Sequence, residues 1–468
     1  MRGHRFSLAV GVVLAASLLG ACTSSGSTAT PSPTAAVPAP AGTTSAGSTS
    51  ASPAVTTSAV QVTVPPVSPS PTTAAPVTTS PAATTPATTA APVKTPTTLT
   101  PSSSSKPPAV PASFTVSPQP GNTTLSPRTP IVVKAAHGTL DGVELVNADG
   151  VTVKGSLNAE RTIWTLAEPL GYDASYELRG RAVGAGGKAA AISGNYRTVS
   201  PDGLISASIS PRDGRTVGIG APILISLGTD IDDTTGRQNI ERAITVTTVP
   251  KTEGGFAWIQ HDDGWGLDWR PKNYWTPGTK VTVTANLYGV SYGNGLYGEQ
   301  DTSASFTIGR SEITKGDINT HRLKVYRDGK LAFDFPTSFG LESDPGRVTR
   351  GGTYIVMSKE YLHLMNNPTY HYTNFKAYYA VRISNNGTFI HANQDTAEEQ
   401  GHENVTHGCA NLTLKNAKLF YDQTLYGDPV EITGSTIPMS QADSDIYDWS
   451  IPWDQWQAKS ALSASYVG

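Results

Sequence analysis

One thiol and two imidazoles cluster in the C-terminal third of this 468-residue chain: His391, then the run Thr406-His407-Gly408-Cys409-Ala410-Asn411. The chain holds 2 cysteines. The other, Cys22, ends Leu19-Gly20-Ala21-Cys22, which reads as a lipobox, so Cys22 is expected to become a lipid-bearing first residue. Cys409 then has no disulfide partner in an exported chain, which makes it a candidate nucleophile. A thiol with a pKa of about 8.5 is mostly protonated at neutral pH and needs a base or a positive neighbour. His391 closes a predicted strand 18 residues before Cys409, so a loop folding back would bring its imidazole to the sulfur. Backbone N–H groups around Gly408 and Cys409 can converge on one point, as an oxyanion requires. His407 would orient the turn or add positive potential. These residues suggest a Cys/His acyl-transfer site.

Other readings of the same residues exist. Cys409 could be an inert buried thiol. His391, His402, His407 and Cys409 could ligate zinc, but their spacing matches no familiar zinc motif. A cysteine peptidase with its histidine after the cysteine is excluded, because no histidine follows Cys409. A sortase would need a downstream arginine, and none follows Arg382.

The elements that must position this site begin near residue 311. His321–Phe335 reads as two strands about an Asp328-Gly329 turn. Strands follow at Thr353–Met357, Ala377–Ile383 and Thr388–His391. After the cysteine turn, Thr413–Asp422 has helical spacing with Leu414, Ala417 and Tyr421 on one side, and 427–433 reads as a last strand.

Before this region lie two β-rich stretches with similar openings, Phe114–Gly121 and Ile205–Gly214. Short alternating strands between Gly, Pro and Asp turns predict two immunoglobulin-like sandwiches. Asp230, Asp232, Asp233 and the His261–Gly264 turn lack the spacing of a calcium loop. Trp258, Trp265, Trp269 and Trp275 are expected in a core or an interdomain contact, with a carbohydrate platform as the alternative.

At the N-terminus, Arg2 and Arg5 precede a short apolar run, the pattern of a signal peptide; the run is too short for a membrane span. From Thr23 to about Pro111 the chain is nearly all Ala, Pro, Ser, Thr and Val, a composition that cannot bury enough surface to fold. As a coil of about 90 residues it would average about 50 Å end to end, a stalk. The net charge of -3, with no basic stripe, argues against a nucleic-acid partner.

Ile390-His391, Gln400-Gly401-His402-Glu403-Asn404 and Thr406–Asn411 together resemble the signature of the L,D-transpeptidases with a YkuD-type catalytic domain. Asn416-Ala417, Phe420–Asp422, Gly427–Ile432 and the tail Asp448–Trp456 continue the likeness, and the layout is similar to the mycobacterial-type lipoproteins. The resemblance implies a mostly-β fold: two immunoglobulin-like β-sandwich modules followed by a mostly-β catalytic domain with a short helix after the cysteine turn. The implied boundaries are signal peptide and lipobox 1–22, stalk 23–111, modules 112–200 and 201–310, catalytic domain 311–434, and a Trp-rich extension 435–468 packing on the catalytic domain.

The resemblance also implies an activity. Cys409 would be the nucleophile and His391 the base, with His407 supporting. Tyr372 and the backbone of His407, Gly408 and Cys409 match oxyanion positions, and Asn411 braces the loop. Met357 and Tyr354 fall where a substrate flap begins. Ala392 replaces a usual serine whose backbone carbonyl orients the imidazole, and Thr406 replaces a commoner serine. Implied partners are peptidoglycan tetrapeptide stems as donor and acceptor, carbapenems as covalent inhibitors, and the membrane through lipidated Cys22. No cofactor or metal is implied. The implied location is the outer face of the cytoplasmic membrane, reaching into the cell wall.

Overall fold

The computed structural model describes residues 110–466. Cys22, the signal peptide and nearly all of the stalk therefore lie outside the described residues. Among the described residues no helix is long and apolar enough to cross a membrane.

Residues 113–197 form two four-stranded antiparallel sheets. One runs in the order Ser113–Ser117, Val132–Ala136, Ile163–Leu166, Gly155–Leu157; the other in the order Thr152–Val153, Gly138–Asn147, Ser175–Gly184, Ala189–Arg197. Period-2 alternation sends Val133, Leu140, Trp164, Leu178 and Ile192 into a shared core.

Residues 203–308 form a second layered unit with its own core. Two four-stranded sheets face each other, and a small three-stranded sheet joins residues 203–205 to 291–298. A helix at Thr234–Arg242 was not foreseen. Asp233 caps it, its carboxylate accepting the Gly236 N–H at 2.5 Å. Asp230 accepts the Trp265 N–H at 2.9 Å. These carboxylates serve the backbone. Trp258, Trp269 and Trp275 are buried in the core of this unit.

The remainder carries the candidate site. A five-stranded sheet runs Lys330–Pro336, Arg322–Arg327, Glu312–Asp317, Pro429–Thr433, Gly352–Ile355. Asp328 and Gly329, with φ of 48° and 76°, make the tight turn of its first hairpin. A second sheet orders Ser358–Asn367, Tyr372–Arg382, Phe389–Ala392 and Ala410–Leu412. The helix Leu414–Gln423, capped by Thr413, packs on this sheet. Its inward face differs from the expected one: Ala417 and Phe420 are buried, whereas Leu414, in the first turn, is 44% exposed.

The tail after Thr433 crosses back to the second unit. The Trp456 indole donates to the Gly255 carbonyl at 2.9 Å and the Trp449 indole to the Gly220 carbonyl at 2.7 Å. Trp456 belongs to a core that also takes in Ala257 and Ile259 of the second sandwich. The extension thus packs on both the catalytic region and the second sandwich.

Candidate active site

The histidine and cysteine strands are hydrogen-bonded neighbours. Phe389–Ala392 runs parallel to Ala410–Leu412, pairing Ile390 with Ala410 and His391 with Asn411. Cys409, one residue before its strand, therefore lies beside the strand that carries His391. Both residues line a cavity of ≈ 300 Å³.

The imidazole is fully packed, and its Nδ1 lies 2.9 Å from the Ala392 carbonyl oxygen. A carbonyl only accepts, so Nδ1 carries the proton and Nε2 keeps its lone pair. Burial lowers the imidazole to about 4. Burial likewise pushes the Cys409 thiol up to about 11, against smaller opposing contributions from the Phe389 backbone and the Arg382 charge. Its Sγ sits 3.7 Å from the Gly387 carbonyl oxygen. At neutral pH the resting pair is a neutral thiol and a neutral imidazole with a free acceptor nitrogen.

The turn before the cysteine is braced on every side. Thr406 Oγ1 donates to the Cys409 carbonyl at 2.6 Å and accepts the Gly408 N–H at 3.2 Å. The Thr349 hydroxyl donates to the Gly408 carbonyl at 2.8 Å. Gly408 has φ +108°, and an added Cβ would meet nothing closer than 3.7 Å, so backbone conformation rather than space demands glycine. Because Thr406 takes the Gly408 N–H, that amide is engaged in the resting site and is not free for an oxyanion.

Asn411 is buried, its Nδ2 donating to the Thr396 hydroxyl at 3.3 Å. The Asn411 backbone bonds both ways with Ser338. His407 is exposed and packs against the rings of Tyr370 and Tyr372 at 4.8 and 5.5 Å. Burial lowers its imidazole, and Arg347 adds to that. His402 is exposed and lines neither cavity that meets the cysteine, so it stands apart from the other proposed zinc ligands.

A second cavity of ≈ 500 Å³ meets the first at the thiol; Met365, Tyr372, His407 and Cys409 line both. Tyr354 lines the larger one, its hydroxyl donating to the Arg350 carbonyl at 3.0 Å. Met357 lines neither. Its N–H bonds the Arg382 carbonyl at 2.9 Å at the base of the Ser358–Arg382 hairpin. Met365, farther along the hairpin, is the methionine that reaches the site. The sequence reading also missed Tyr370, Phe375 and the Asn385–Gly387 turn, all cavity-lining. The high density of Tyr and Phe over 361–379 was the available signal.

Residues 313–432 match the family model described as L,D-transpeptidase catalytic domain, and residues 122–291 match that of a bacterial Ig domain. The chain is 45% identical over 359 residues to L,D-transpeptidase 5 of Mycobacterium tuberculosis, covering 76% of this chain and 78% of that one. This chain belongs to the L,D-transpeptidase family. L,D-transpeptidase 2 of the same species is 38% identical over 345 residues, covering 71% of this chain and 81% of its own. A solved L,D-transpeptidase in complex with imipenem is 32% identical, covering 50% of this chain and 99% of that chain at a TM-score of 0.41. As an L,D-transpeptidase, the chain is an enzyme whose catalytic region contains the His391–Cys409 pair.

Proposed function

We propose that this enzyme forms 3→3 cross-links between diaminopimelate residues of peptidoglycan stems through a Cys409 thioester. His391 Nε2 takes the thiol proton as the sulfur attacks the carbonyl of the third residue of a donor tetrapeptide. The Cys409 amide and the Tyr372 hydroxyl face the developing oxyanion. The imidazolium then returns the proton to the leaving amine, D-alanine departs, and the thioester remains. In the second half, neutral His391 accepts a proton from the side-chain amine of an acceptor diaminopimelate, which displaces the thiol. Carbapenems would acylate the same sulfur. On the sequence alone, we further propose that lipidated Cys22 anchors the chain at the outer face of the membrane.

The carrying observation is the pairing of a buried Nδ1-protonated imidazole with a thiol at the junction of two cavities. Two cavities meeting at one nucleophile favour an amine-bearing second peptide over water as the resolving group. The test is mass spectrometry of fragment 112–468 incubated with a disaccharide-tetrapeptide, beside Cys409→Ala. Cross-linked dimer with released D-alanine, lost in the variant, supports the proposal. Tripeptide without dimer would mean a carboxypeptidase, and no turnover in either protein would leave a wall-binding role.

A further inference from the structure

Arg382 stands at the end of the hairpin's second strand and lines the larger cavity together with Cys409. Its Nη1 donates to the Ser384 and Asn385 carbonyls at 3.2 and 3.3 Å, and its guanidinium lies 4.3 Å over the Phe389 ring. The turn it grips continues to Gly387, whose carbonyl touches the thiol. The guanidinium is therefore fixed in the segment that borders the nucleophile. Its Nε and Nη2 have no acceptor among the described residues, and it forms no ion pair there. The other arginine of this cavity, Arg350, is neutralised by Asp443 at 2.6 Å. A rigid, uncommitted guanidinium fork beside a reacting carbonyl suits a bidentate carboxylate.

We propose that Arg382 is a specificity-determining residue that binds a substrate carboxylate beside the scissile bond. Resting on the acyl-transfer reading above, the favoured source is the C-terminal carboxylate of the leaving residue, one carbon from the scissile nitrogen. A carbapenem places its carboxylate in the same relation to its lactam nitrogen, so both would present the anion to one guanidinium. The acceptor stem's diaminopimelate carboxylate is the other source of the same chemistry.

The experiment compares wild type with Arg382→Gln, both checked by circular dichroism. Donor tetrapeptides ending in acid or amide are compared, as are acceptors with free or amidated diaminopimelate, and a carbapenem is compared with its carboxyl ester. Wild type is expected to prefer the acid donor by at least about tenfold in kcat/KM, the acid carbapenem similarly, and Arg382→Gln to flatten both ratios. A flattened ratio confined to the acceptor arm assigns the carboxylate to the acceptor. A brace without ligand contact would lower acid and amide rates together and leave every ratio unchanged, overturning the proposal. Equal acid and amide rates in wild type in both the donor and the acceptor arms overturn it without recourse to the variant. Wild type that processes no peptide yet still prefers the acid carbapenem would sink the cross-linking reading while supporting Arg382.

Discussion

At the residue scale, the chemistry rests on one tautomer and two displaced pKa values. With burial holding His391 at about 4 and Cys409 at about 11, the pair stays neutral between those limits. β-Lactam acylation followed by stopped flow should be level from about pH 5 to about 9 and fall only as His391 becomes protonated. Alkylation by iodoacetamide, which needs the thiolate, should climb toward about pH 11. A bell centred near neutrality would point to a resting thiolate–imidazolium pair and contradict this account. His391→Ala should slow acylation by about 10²- to 10⁴-fold, the usual contribution of a positioned base. The proximity of His391 and Cys409 was legible in the sequence, because their separation of 18 residues is long enough for the chain to fold back and pair the two strands in parallel. Arg382 was not. Its relation to the sulfur depends on a turn that returns to the nucleophile from another part of the chain, and no local pattern records that approach.

At the element scale, periodicity revealed that elements exist better than which way they face. The helix after the cysteine turn formed where its spacing indicated, yet its first turn projects Leu414 into solvent while Phe420 meets the sheet. Phe420→Ala should cost about 3–5 kcal/mol in urea unfolding, whereas Leu414→Ala should stay within about 0.5 kcal/mol. Equal costs would mean the helix is rotated from the orientation described. The strand Ser358–Asn367 escaped notice for a related reason. Tyr361, Leu362 and Leu364 are exposed on it, so its apolar residues do not mark a buried face. That hairpin supplies Met365, Tyr370, Tyr372 and Phe375 to the cavities, while Met357, expected where a substrate flap begins, sits at its base.

At the scale of the whole described molecule, the second sandwich, the catalytic region and the tail share polar and apolar contacts that no single segment announces. His261, at the tip of a sandwich hairpin, contacts Asp268 at 3.1 Å and Asp445 of the tail at 3.3 Å. The Asp445 amide and the Asp262 carboxylate both bond Asn385, two residues from the carbonyl that touches Cys409. Burial alone would lower the His261 imidazole, but the charge and hydrogen bond of Asp268, with Asp445, hold it protonated up to about 11. A histidine unfolded near 6.5 and raised on folding contributes stability that is fully present below 6.5 and lost as pH rises toward about 11. Thermal unfolding of fragment 112–468 should therefore show Tm falling from about pH 6.5 upward, and His261→Gln should flatten that slope while lowering Tm at acid pH. An unchanged slope in the variant would assign the pH dependence elsewhere.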